Sequence, residues 1–129
     1  MNQSVFLQKI FSDLYGDYSK DDLIAILTDF LGNFQTMKQK LLTSFNCHRL
    51  DEFRGELHHN TPSFSYVGLP QITTAFKSLE NECKKINDTE EVKNQFKDLV
   101  DMLEDGKILI MAQLNYLQYN HHYSHRIAV

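Results

Sequence analysis

Two adjacent histidines followed by a proline carry most of the chemical potential in this chain: Leu57-His58-His59-Asn60-Thr61-Pro62. Near neutral pH much of an imidazole is uncharged and nucleophilic. One ring nitrogen can attack an electrophile while a hydrogen bond holds the other. Nε2 projects furthest and is the expected attacking atom. Cys47-His48 is a second potential ligand pair, and His121, His122 and His125 crowd the C-terminal tail. Those three would line one turn if helical. No carboxylate or cysteine there completes a site with standard zinc spacing, so no metal is assigned. A histidine-tail metal protein is kept only as a remote alternative.

Stepping each residue by about 100° around a helix axis separates the paired histidines. Leu50, Phe53, Leu57 and Phe64 cluster on one side. His58 then falls on the shoulder of that stripe, and His59 points into water. Gly55 lies one turn before His58, Pro62 one turn after, and Ser65 a further turn on. These compact residues leave the imidazole on a low surface that another protein can approach. Pro62 removes the hydrogen bond to the His58 carbonyl four residues back and crowds it. The helix therefore ends early there or kinks. Phe64 and Val67 continue the apolar pattern, which favours one continuous, kinked helix.

The elements that position this segment read as helices nearly throughout. A short first helix spans about Gln3 to Leu14, with Phe6, Leu7, Ile10 and Leu14 on one side, and Gly16-Asp17 ends it. Ser19 caps the second helix, with Asp21 and Asp22 in its first turn. Its apolar face runs through Leu23, Leu27, Phe30, Leu31, Phe34, Met37, Leu41 and Phe45. Gly32 is an interior weak point or a place of close packing. The third helix begins near His48. Gly68-Leu69-Pro70 punctuates the chain, and Pro70 opens the fourth helix, which turns Ile72, Phe76, Leu79, Cys83 and Ile86 inward. Asp88 with Glu91 forms a capping arrangement for the fifth. That helix carries Val92, Phe96, Leu99, Leu103, Ile110, Leu114 and Leu117. Periodicity is lost after Tyr119, and residues 120–129 are expected to fray. The expected fold is all-α: an antiparallel up-down four-helix bundle with a short N-terminal capping helix, one domain over 1–129 with its core at about 3–119.

Composition limits the function classes. The chain has 129 residues, 42% hydrophobic and 23% charged, enough for one modest core. Its net charge of −4 argues against general nucleic-acid binding, which needs clustered Lys and Arg. Two cysteines, Cys47 and Cys83, form no disulfide framework and read as reduced, partly buried thiols. Neither a signal peptide nor a membrane-length apolar run is apparent, so a cytoplasmic location is expected. With no Walker A sequence and no glycine-rich nucleotide loop, no kinase activity is expected. No Glu-x-x-His motif for a di-metal bundle site occurs.

The segment from Leu57 to Glu80, LHHNTPSFSYVGLPQITTAFKSLE, resembles the signature of histidine phosphotransfer (HPt) domains. That pattern starts at the phosphoryl-accepting histidine, has a glycine ten residues on, and leads into a helix ending near Leu-Glu. Aligning Gly68 as the glycine selects His58. Leu69 and Leu79-Glu80 then match, and Gly16-Asp17 with Asp29-Phe30-Leu31 looks like the family's early helical segment. The resemblance covers about residues 5 to 118. Two positions depart from it: Thr61 stands where a lysine is usual, and Pro62 where a glycine or serine is usual, as in some stand-alone bacterial members.

What the resemblance implies is a stoichiometric phosphocarrier that exchanges phosphoryl between His58 and aspartates of receiver domains, in response regulators and in a hybrid histidine kinase. It binds no cofactor, and Mg²⁺ is expected in the receiver. Thr61 offers only a hydroxyl to the phosphoryl group, so a cation is sought in Arg54, Lys77 or Lys84, Lys84 first. The docking face would comprise Gly55, Pro62 and Ser65 with Phe6, Ile10, Phe11 and Leu14 of the first helix. A monomer without nucleic-acid or membrane partners is expected. The main alternative is a degenerate HPt adaptor that binds receivers without transferring phosphate.

Overall fold

In a computed structural model, residues 19–128 are described, with side chains as far as Tyr119. The expected Gln3–Leu14 helix, with Phe6, Ile10, Phe11 and Leu14, lies outside the described residues. Among the described residues the chain is all-α: α1 (Lys20–Asn46), α2 (Leu50–Tyr66), α3 (Pro70–Cys83), a 3₁₀ turn (Thr89–Val92) and α4 (Lys93–Ala128).

Ser19 starts α1 as the sequence predicts. Its Oγ accepts from Asp22 N–H at 3.1 Å, and the Asp22 carboxylate accepts from Ser19 N–H at 3.3 Å. The end of α1 was not legible. His48 takes φ 57°, a left-handed conformation in which glycine is the usual residue. His48 N–H then donates to Phe45 O at 3.1 Å and Arg49 N–H to Ser44 O at 2.9 Å. This closure stops α1 and delays α2 to Leu50, two residues beyond the expected start near His48.

Pro62 lies inside α2, which continues through it to Tyr66. Proline deletes one donor, and buried Phe64 and Val67 downstream hold the next turn against the core. Gly68 at φ 79° closes α2 in the same way as His48 closes α1. Gly68 N–H reaches Ser65 O at 3.2 Å and Leu69 N–H reaches Phe64 O at 2.8 Å. Pro70 then opens α3.

α3 ends at Cys83, so Ile86 packs against the core from the following loop rather than from the helix. Asp88 and Glu91 form the expected cap, but it starts the 3₁₀ turn that leads into α4. The helical backbone of α4 runs to Ala128. No glycine or proline follows Tyr119, so nothing local ends the helical hydrogen bonding when the apolar pattern fades.

Each helix packs on the next in the chain, and α4 also packs on α1, giving a bundle-like fold. Two aromatic clusters fill it. Phe45, Phe53 and Phe96 join α1, α2 and α4, with Phe45 stacked on Phe96 at 4.5 Å and Phe53 edge-on to Phe96 at 5.0 Å. Phe30, Phe64 and Phe76 join α1, α2 and α3, with centroids 5.5 and 5.0 Å apart. Phe53, Leu57 and Phe64 of α2 are fully buried, which fixes the rotation of that helix.

Candidate functional site

That rotation sets His58 on the α2 shoulder next to α3. Its side chain is 79% exposed, and Nδ1 lies 2.8 Å from Oε1 of Glu80, itself only 15% exposed. An ionised carboxylate can only accept, so Nδ1 carries the proton and donates it to Glu80. In the neutral ring Nε2 then keeps its lone pair. A held ring nitrogen on His58 was expected from the sequence; Glu80 as its partner was not. A signal was present: Glu80 stands one step round from Leu79 on the shoulder of α3, as His58 stands one step round from Leu57 on α2. Pairing the two shoulders required knowing that α2 and α3 are neighbours. His59 is exposed, as expected.

Thr61 does not reach the site. It is 8% exposed, and its Oγ1 donates to Leu57 O at 2.7 Å. The physical reason is its position on the core stripe, one turn after Leu57 and just before Phe64. Its carbonyl is also occupied, accepting from Thr73 Oγ1 at 3.1 Å. The Thr61 hydroxyl, expected as a possible support for a phosphoryl group, is thus committed to the backbone of its own helix. Ser65 keeps an exposed position, with its hydroxyl 3.0 Å from Thr73 Oγ1. Gly55 and Pro62 are also exposed. A Cβ added at Gly55 would meet nothing within 4 Å, so the surface one turn before His58 is open.

Three cations stand along the seam: Arg54 one turn before His58, and Lys77 and Lys84 one turn to either side of Glu80. All are exposed, and among the described residues none makes an ion pair. Cys83 is buried in α3, and that burial pushes its thiol up to about 11, so it stays protonated. Cys47, expected to be partly buried, is exposed because it sits in the α1–α2 turn.

His48 is not paired with Cys47. Its Nδ1 lies 3.0 Å from Asp88, which ties the α1–α2 turn to the 3₁₀ turn. Among the described residues no group of three or more His, Cys, Asp or Glu could hold a metal, and no helix is long and apolar enough to cross a membrane. His121, His122 and His125 lie outside the described side chains. No protein-family model matches the chain, and neither a curated protein nor a solved structure matches it.

Proposed function

We propose that the chain is an HPt-type phosphocarrier that shuttles a phosphoryl group between receiver-domain aspartates through Nε2 of His58. The observation that carries this reading is the exposed imidazole held at Nδ1 by Glu80, with its other nitrogen free. Nε2 attacks the phosphorus of an aspartyl phosphate. The N–P bond forms, the P–O bond breaks, and the aspartate leaves as a carboxylate. The ring gains positive charge as it takes the phosphoryl group, and the Glu80 carboxylate, already on Nδ1–H, opposes that charge. The reverse step returns the group to a second aspartate. Little covalent chemistry falls to this chain beyond positioning, and Mg²⁺ belongs to the receiver.

Lys84 is the proposed cation for the phosphoryl oxygens. Helical side chains lean toward their helix N-terminus, so Lys84 leans toward Glu80 and His58. Arg54 is the second candidate. The docking face is the open surface of Gly55, Pro62 and Ser65. The finer architecture belongs to the same proposal: an antiparallel four-helix bundle in a cytoplasmic monomer. Two pairings support that direction: Ser65 meets Thr73 where His58, seven residues earlier, meets Glu80, seven residues later.

The test is phosphotransfer from a radiolabelled receiver in Mg²⁺. His58→Gln is expected to lose the acid-labile label and His59→Gln to keep it. The opposite pattern overturns the assignment. Burial of Thr61 favours one further reading, a receiver-binding adaptor that lacks transfer because no cation follows the histidine on α2. Receiver binding with no label after prolonged incubation supports the adaptor.

A further inference from the structure

Pro62 leaves a gap in the backbone ladder of α2 at the residue that carries the chemistry. Proline has no N–H, so the His58 carbonyl receives no helical hydrogen bond from position 62. The links on both sides of the gap each carry an extra hydroxyl. Thr61 Oγ1 donates to Leu57 O at 2.7 Å, from within α2. Thr73 Oγ1 donates to Thr61 O at 3.1 Å, from α3. Of the two, the second crosses from one helix to the other.

The direction of this hydroxyl chain is fixed. A carbonyl can only accept, so the single Thr73 hydroxyl proton goes to Thr61 O, and Ser65 Oγ donates to Thr73 Oγ1 at 3.0 Å. Thr73 is buried, where a valine of similar shape would leave no polar atom to satisfy. The junction of Ser65, Thr73 and Thr61 O ties α2 to α3 just beyond the proline. His58 lies seven residues back from Ser65, and Glu80 seven residues on from Thr73. At 1.5 Å per residue each arm is about 10 Å long. At that radius a swing of about 10° at the Pro62 bend moves His58 against Glu80 by about 2 Å. Such a shift breaks a 2.8 Å hydrogen bond, and the His58 side chain is too exposed for packing to hold the ring in place.

We infer that Thr73 is a positioning residue for the His58 site: its hydroxyl fixes the bend of α2 at Pro62 and so keeps Nδ1 of His58 on Glu80. Thr73 lies about two turns from Glu80 along α3 and acts through it. The effect on phosphoryl exchange rests on the phosphocarrier reading. The hold on the imidazole does not, because it is present without phosphate.

The test compares Thr73→Val, which keeps the volume and removes the hydroxyl, with Thr73→Ser, which keeps the hydroxyl. Long-range ¹H–¹⁵N spectra of the full chain, at a pH where the ring is neutral, report the His58 tautomer. Wild type and Thr73→Ser are expected to show the Nδ1-protonated form, and Thr73→Val a mixture. Single-turnover transfer from a phosphorylated receiver is expected to fall about fivefold in Thr73→Val, the loss of one hydrogen bond, and to recover in Thr73→Ser. In a Glu80→Gln background the same Thr73→Val change is expected to slow transfer less than about twofold, because its route runs through Glu80. An unmixed Nδ1 tautomer in Thr73→Val overturns the inference, and so does a rate loss that persists in full without Glu80. If Thr73→Val does not fold, Thr73→Cys, whose thiol is a weaker donor, is read in the same two ways. If no variant takes up label, wild type included, the phosphocarrier reading fails, and the tautomer spectra still decide the role of Thr73.

Discussion

Glu80 decides which nitrogen of His58 is left free, because a carboxylate on Nδ1–H favours the tautomer with Nε2 unprotonated. A hydrogen bond to a charged group contributes about 1.5–3 kcal/mol, and the exposure of His58 places this one at the low end. Glu80→Gln is expected to slow single-turnover transfer from a phosphorylated receiver about tenfold, with ¹⁵N shifts of His58 showing a mixed tautomer. Wild-type rates together with an unmixed tautomer would remove Glu80 from the mechanism. Lys84→Ala is expected to slow transfer by a similar factor, whereas Thr61→Val leaves the rate within about twofold, since that hydroxyl is committed to Leu57 O. A strong rate loss in Thr61→Val alone would return the phosphate-supporting role to α2. The placement of His58 on a shoulder and of His59 away from the core was legible from helical rotation, because it depends only on residues of one helix. Glu80 was not, because its partner lies 22 residues away on another helix.

At the scale of the helices, three glycines occupy interior positions and differ in kind. Gly106 has no room: an added Cβ would meet Ile72 Cδ1 at 2.8 Å and Leu69 Cδ1 at 3.2 Å, and both side chains are fully buried. Gly32 and Gly55 have open space, so close packing does not explain Gly32. Alanine favours a helix interior over glycine by roughly 1 kcal/mol. Gly55→Ala is therefore expected to raise stability by about 0.5–1 kcal/mol. Gly106→Ala is expected to lower it by about 1 kcal/mol, because overpacking outweighs the propensity gain. Urea unfolding of the two variants checks both signs, and a gain in Gly106→Ala would show that α4 can move away from the α2–α3 turn. Caps made from neighbouring residues were legible, as with Ser19 and Asp22 or Gly68 and Pro70. The turn at His48 was not. A histidine at φ 57° disguises a helix end that glycine would have announced, and Asp88 from a distant turn holds it.

The whole molecule is closed by contacts between distant turns, two of them carboxylates with lowered pKa. Asp88 is held below its ordinary value of 3.8, first by the Glu90 N–H and then by His48. Glu104 is held below 4.5, first by its hydrogen bond to Lys38 of α1. A carboxylate with a lowered folded pKa contributes stability that is complete above its unfolded pKa and lost as pH falls through the folded one. The melting midpoint is expected to hold above about pH 5 and fall below about pH 4. Asp88→Asn with Glu104→Gln should flatten that fall, and an undiminished acid slope in the double variant would point to other carboxylates. Much of the fold was legible in the sequence. The helical period, the main breaks and the buried stripe through Phe53, Leu57 and Phe64 follow from which side chains water rejects at 3.6-residue spacing. That stripe also put His58 on a shoulder. Only the tertiary structure decided what the shoulder faces: α3 brings Glu80 to Nδ1 of His58. A sequence period fixes the rotation of each helix about its own axis. Which helices become neighbours, and at what register, depends on packing among residues far apart in the chain.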